Sequence, residues 1–128
     1  MQEKHLYEYA VIRLVPRVER GEYINIGAVL YCKSLKTLDF VFQMNEDRIL
    51  ALFPELDLAE VESHLHSFKK ICQGTADSGL IGEQDLASRF RWLTARRSTI
   101  IQASEIHPGY CHQPMDALNK IFEEMVLL

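Results

Sequence analysis

Two runs rich in Val, Ile, Leu and Tyr, residues 6–15 and 23–32, are separated only by the charged stretch 16–22, which contains Pro16 and Gly21. β-Branched and aromatic residues suit a pleated, half-buried surface, and Pro and Gly punctuate turns, so the pair predicts two antiparallel strands joined by a long hairpin loop. With Val15 opposite Tyr23, Leu14 faces Ile24, Ile12 faces Ile26 and Ala10 faces Ala28, an apolar set that predicts the core face. The other face then pairs Arg13 with Asn25, Val11 with Gly27, Tyr9 with Val29 and Tyr7 with Tyr31. A slip of one residue would mix the two sets, which is the reason to prefer this register.

The polar end of that hairpin is the candidate site. Arg17, Glu19, Arg20 and Glu22 in the loop stand beside Arg13 and Asn25, and guanidinium groups are planar donors matched to carboxylate or phosphate. Two readings compete: a recognition surface for an anion, or solvated Arg and Glu side chains that pair with one another for ~0–1 kcal/mol. Gly27 within a strand marks either a bulge or a close approach, and packing beneath a neighbouring aromatic is the favoured reading.

A third strand, residues 37–44, alternates with Leu38, Phe40, Phe42 and Met44 on one face. An odd turn around residues 33–36 would bring this set to the core face of Ile24 and Ile26, whereas an even turn would put Phe42 beside Gly27; both remain open. Asn45 predicts the cap of a short helix closed by Pro54. Asp57 predicts the cap of a longer one carrying Leu58, Val61, Leu65, Phe68 and Cys72 up to Gly74. His64 and His66, two apart, point to different sides and are expected to be solvated. Residues 73–82 read as a flexible connection, 83–94 as a helix, 98–104 as a fourth strand, and Pro114 as the first turn of a last helix. The fold expected is α+β: one domain over 1–128, an antiparallel sheet of about four strands, with helices mainly on one face.

Net charge of −4 argues against a general nucleic-acid coat, so nucleic acid is allowed by a local basic patch but not favoured. Charge is nevertheless segregated: Arg89, Arg91, Arg96 and Arg97 have no acid among them, while an acidic half precedes them. If Arg17 and Arg20 lie near Arg96 and Arg97, with Ser98 beside them, an anion-binding concavity results. Internal neutralisation by Glu19, Glu22 and the acidic helices is the competing explanation. The three cysteines, Cys32, Cys72 and Cys111, are far apart and form no C-x-x-C pair, which predicts free thiols and a reducing cytoplasm. His107, Cys111 and His112 are the one local group of soft ligands, but the Pro108–Gly109 step between them reads as a turn, and no metal or cofactor is expected. No apolar run approaches ~18 residues and the start, M-Q-E-K-H, has no hydrophobic signal region, so neither membrane spanning nor secretion is expected.

The run Y-A-V-I-R-L-V-P-R-V-E-R-G-E-Y-I-N-I-G-A-V-L-Y-C from Tyr9, together with F-R-W-L-T-A-R-R-S-T-I-I-Q from Phe90 and I-H-P-G-Y from Ile106, resembles the bacterial family catalogued as domain of unknown function 3037. The resemblance covers nearly the whole chain. Mapped here, the family's polar signature falls on Arg13, Pro16, Arg17, Glu19, Arg20, Gly21, Glu22, Asn25, Gly27, Arg97 and Ser98. The chain departs from the family at Arg96, where proline is usual. The family has no established activity, and its members are often encoded beside HipA-like kinases, so the resemblance implies such a kinase as a candidate partner. The expected function is a non-enzymatic binding or adaptor module using Arg13, Arg17, Glu19, Arg20, Glu22, Asn25, Arg97 and Ser98 on an anionic ligand or partner. The alternative is a small enzyme acting on phosphate or nucleic acid, with Glu19 or Glu22 as its acid or base.

Overall fold

A computed structural model describes residues 3–127, and in it the two apolar runs form the expected antiparallel pair, β1 (His5–Leu14) and β2 (Ile24–Cys32). At the loop end the register is the expected one, with Arg13 opposite Asn25 and Leu14 opposite Ile24. A β-bulge then absorbs Ile26, so Gly27 lies opposite Ile12, Ala28 opposite Val11 and Leu30 opposite Tyr9. The expected pairs Ile12–Ile26, Val11–Gly27, Ala10–Ala28 and Tyr9–Val29 are therefore each off by one. The extra residue exchanges the faces of β2 beyond it. Ile24, Ile26, Val29 and Tyr31 share one core with Ala10, Ile12 and Leu14, while Ala28, Leu30 and Cys32 turn to the other side.

The bulge also resolves the third strand. The turn at residues 33–36 is even, and Gly27 lies opposite Phe42 of β3 (Thr37–Phe42). Leu38 and Phe40 still reach the core of Ile24 and Ile26, because the bulge has already swapped the face of β2 that they meet. Gly27 is needed there: a Cβ would stand 2.8 Å from Phe40 Cε1 and 2.8 Å from the Val41 carbonyl oxygen.

On its other side β1 pairs with two short strands in succession, β4 (Ile101–Ala103) along Ile12, Arg13 and Leu14, and β5 (His107–Cys111) along the segment from His5 to Tyr9. The late strand thus joins β1, though it is shorter than 98–104, and residues 107–111 form a strand rather than a turn. Gly109 accommodates Tyr7, its cross-strand partner, whose ring would lie 2.4 Å from an added Cβ. Between the two strands Ser104 substitutes side chain for backbone: its hydroxyl accepts the Val11 N–H at 2.8 Å and donates to the Glu105 carbonyl at 2.9 Å. The result is an open, all-antiparallel five-stranded sheet in an α+β fold.

Helices α1 (Glu46–Leu52), α2 (Leu58–Gln73) and α4 (Leu86–Thr94) cover one face, closing Ile49, Val61, Leu65, Phe68, Phe90 and Leu93 over the sheet. The caps are those the sequence predicts: Asn45 accepts from the Arg48 N–H, Asp57 from those of Ala59 and Glu60, and α2 ends at Gly74 with φ of 65°. The connection after α2 holds a short helix, α3 (Gly79–Gly82), and α4 starts later than residue 83 because Asp85 caps it, accepting from the Ser88 N–H at 2.7 Å. The last helix, α5 (Pro114–Met125), takes the opposite face, where Leu118 and Ile121 pack on Ala28, Leu30 and Cys32.

Candidate functional site

The loop between β1 and β2 tightens into a single 3-10 turn at Val18–Arg20, closed by Gly21 at φ of 70°, a left-handed position that favours glycine. This turn sets two exposed ion pairs side by side. Arg17 Nε lies 2.8 Å from Glu19 Oε1, and Arg20 Nε pairs with Glu22 Oε1. The Glu19 carboxyl is held below its ordinary pKa by a backbone hydrogen bond first and by the Arg17 contact second. Each arginine is fixed through Nε, and among the described residues neither makes a hydrogen bond through its terminal nitrogens.

Arg17 and Arg20, with Pro16, form one wall of a cavity of about 390 Å3 whose other wall is residues 52–56, the junction of α1 and α2. Leu52, at 53% exposure, stands at its margin, and Val18 of the same turn is 41% exposed.

The remaining expected site residues are placed elsewhere. Arg13 lies opposite Asn25 as expected, and its guanidinium carbon sits 4.2 Å from the centre of the Tyr23 ring. Asn25 donates through Nδ2 to the Met125 carbonyl at 3.1 Å, tying β2 to the end of α5, and it lines a narrow cleft of about 80 Å3 with Arg48 and Val126. Arg97 stacks on Trp92 at 4.4 Å and donates to the Trp92 carbonyl. Burial pulls its pKa down. It lines a third cavity, of about 600 Å3, with Glu60, His64 and Phe68. Ser98 is exposed beside it. Arg97 does begin the segment that joins β1 at the loop end, where the Val15 N–H donates to the Ile100 carbonyl, yet it faces the α2–α4 side. Glu22, Asn25 and Arg97 therefore do not converge on one pocket, and the arginines fall into an exposed pair at the hairpin and a braced one near Trp92.

Among the described residues no group of three His, Cys, Asp or Glu side chains is arranged to hold a metal ion. His107 packs against Tyr9, Cys111 is buried, and His112 Nδ1 lies 3.0 Å from the Glu3 carbonyl oxygen, so the soft-ligand group is dispersed by β5. Among the described residues no helix is long and apolar enough to cross a membrane. Among the features that escaped the sequence are the contact of Asn25 with Met125, a hundred residues away, and the partnership of Tyr7 with Gly109. Only the glycine in H-P-G-Y signalled the second.

Fold and site together define an α+β protein in which an exposed arginine pair lies in a groove between a hairpin loop and a helix junction. The chain belongs to the family described as protein of unknown function (DUF3037), whose model matches residues 9–126. No curated protein and no solved structure matches the chain.

Proposed function

We propose that the protein is a non-enzymatic binding or adaptor module that holds an anionic group of a partner chain in the groove of Arg17 and Arg20. The observation that carries this is the state of the two guanidinium groups: each is oriented by one glutamate through Nε, so the rest of its donor fork is presented with less orientational freedom to lose. Leu52, which lines the same groove, adds exposed apolar surface to it, which suits a segment carrying an acidic group beside an apolar side chain. The separation of Glu22, Asn25 and Arg97 among different surroundings favours binding over catalysis on phosphate or nucleic acid, which would require them together.

A HipA-like kinase in a bacterial cytoplasm is the partner proposed, on the family resemblance. Titration of the full chain against a purified HipA-like kinase, followed by calorimetry, tests both parts. Binding that weakens at least tenfold in the Arg17→Ala, Arg20→Ala double variant, with an unchanged melting temperature, supports the groove. Binding unaffected by the double variant removes the groove from the interface, and no binding at all removes this partner.

A further inference from the structure

A further cavity, of about 460 Å3, opens between the β1–β5 pair and α5, on the side of the sheet away from α2. One wall is aromatic. Tyr7 and Tyr9 have ring centroids 6.1 Å apart, whereas Tyr110, opposite Leu6, projects from the other face of β5. Tyr7 is positioned by Gly109, where any side chain would displace the ring. The other wall is a line of charge on α5: Asp116, Lys120 and Glu124, spaced four residues apart, so all three lie on one side of the helix. All three are exposed, and among the described residues none lies within ion-pair distance of an opposite charge.

The spacing suggests the occupant. Four helical residues advance about 6 Å, so the order along the wall is negative, positive, negative at steps of about 6 Å. An extended peptide repeats side chains on one side every two residues, at about 6.6 Å. A segment of the form basic-x-acidic-x-basic therefore places a complementary charge against each of the three in turn, while its flanking cations lie near tyrosine faces, which attract them through the ring quadrupole. We propose that this groove is a docking site for an extended partner segment with two Lys or Arg residues flanking an acidic one. Its charge preference is the reverse of that of the Arg17 and Arg20 groove, so the two surfaces select different features of a partner.

The test is fluorescence anisotropy of the full chain with a fluorescein-labelled peptide, G-R-A-E-A-R-G, against its charge-inverted counterpart, G-E-A-R-A-E-G. Expected are saturable binding of the first, at least tenfold weaker binding of the second, and a loss of at least tenfold in the D116N/E124Q double variant and in Lys120→Ala, all of which alter exposed side chains. Salt should weaken the interaction. The proposal is overturned by no saturable binding, by equal binding of the two peptides, by affinity unchanged in both variants, or by arginine amide alone binding as tightly as the peptide. That last result would make the groove a cage for small cations.

Discussion

The guanidinium of Arg97 lies over the ring of Trp92, 4.4 Å from its centre, and returns a hydrogen bond to the carbonyl of the same residue. A side chain five residues downstream thus closes the connection between α4 and β4, with the Phe68 ring 5.5 Å away on α2. Arg97→Ala should cost about 1–2 kcal/mol, the sum of a partly desolvated cation–π contact and one charge-assisted bond. Lysine should not restore it, because the planar stack is lost. Arg17→Ala, whose side chain is solvated, should stay within about 0.5 kcal/mol of the parent. Urea midpoints of the three variants separate these outcomes, and equal midpoints for Arg17→Ala and Arg97→Ala would contradict the brace.

Gly27→Ala should lose about 1–3 kcal/mol, because the added methyl meets both a buried ring and a backbone carbonyl that has no rotamer to escape into. Ile26→Ala should lose about 2–5 kcal/mol, since the bulge drives that side chain into the shared core of Ile12, Leu14, Ile24, Leu65 and Phe68. Thermal melts of both check the register on either side of the bulge; a parent-like melt for Gly27→Ala would place the glycine elsewhere.

Ser104→Ala should cost about 1–3 kcal/mol by leaving the Val11 N–H without its acceptor in a buried setting. Native-state hydrogen exchange localises the effect: protection should fall first at the Val11 amide. Unchanged protection there would mean that another acceptor takes over.

Burial raises the pKa of Asp39 above its ordinary 3.8, with Lys69 opposing in part. A carboxyl with a raised folded-state pKa contributes stability that is complete below the unfolded value and is lost as pH rises through the folded one. Asp39→Asn should therefore melt above the parent at pH 7, and the gain should vanish at pH 3, where both states of the parent are protonated. A variant no more stable than the parent at pH 7 rules out a net cost from the charge.

All three cysteines are buried free thiols, and burial together with nearby Asp39 pushes Cys72 up to about 12. A thiol reagent at pH 8 should react slowly with the native protein and count three groups in denaturant without reductant. Fewer than three would indicate a crosslink.

The hairpin, the caps at Asn45 and Asp57, and the stop at Gly74 were legible because each is a local device, decided by neighbours within one turn. The register of β2 was legible only as far as Asn25. Beyond it every residue from Ile26 to Cys32 is buried, on one face or the other, so alternation carries no information and a bulge leaves no trace. β5 was hidden for a different reason: Pro108 and Gly109 are turn residues by composition, and the glycine is there to admit a ring from a strand a hundred residues earlier. In the candidate site, mutual pairing of the loop's Arg and Glu side chains was one of two readings the sequence left open, and which residues pair was set by the 3-10 turn. The same residue types at Arg97 gave no sign of Trp92 as their partner, since stacking depends on how α4 meets the following connection.

Pro108 sits in β5, on the outer margin of the sheet, and carries no N–H. Together with the interruption at Ser104, it leaves that margin without an unbroken row of donors for a second chain to copy. Fibril growth by strand addition is therefore disfavoured along this side, and a partner that engages it must be read through side chains rather than through backbone ladders.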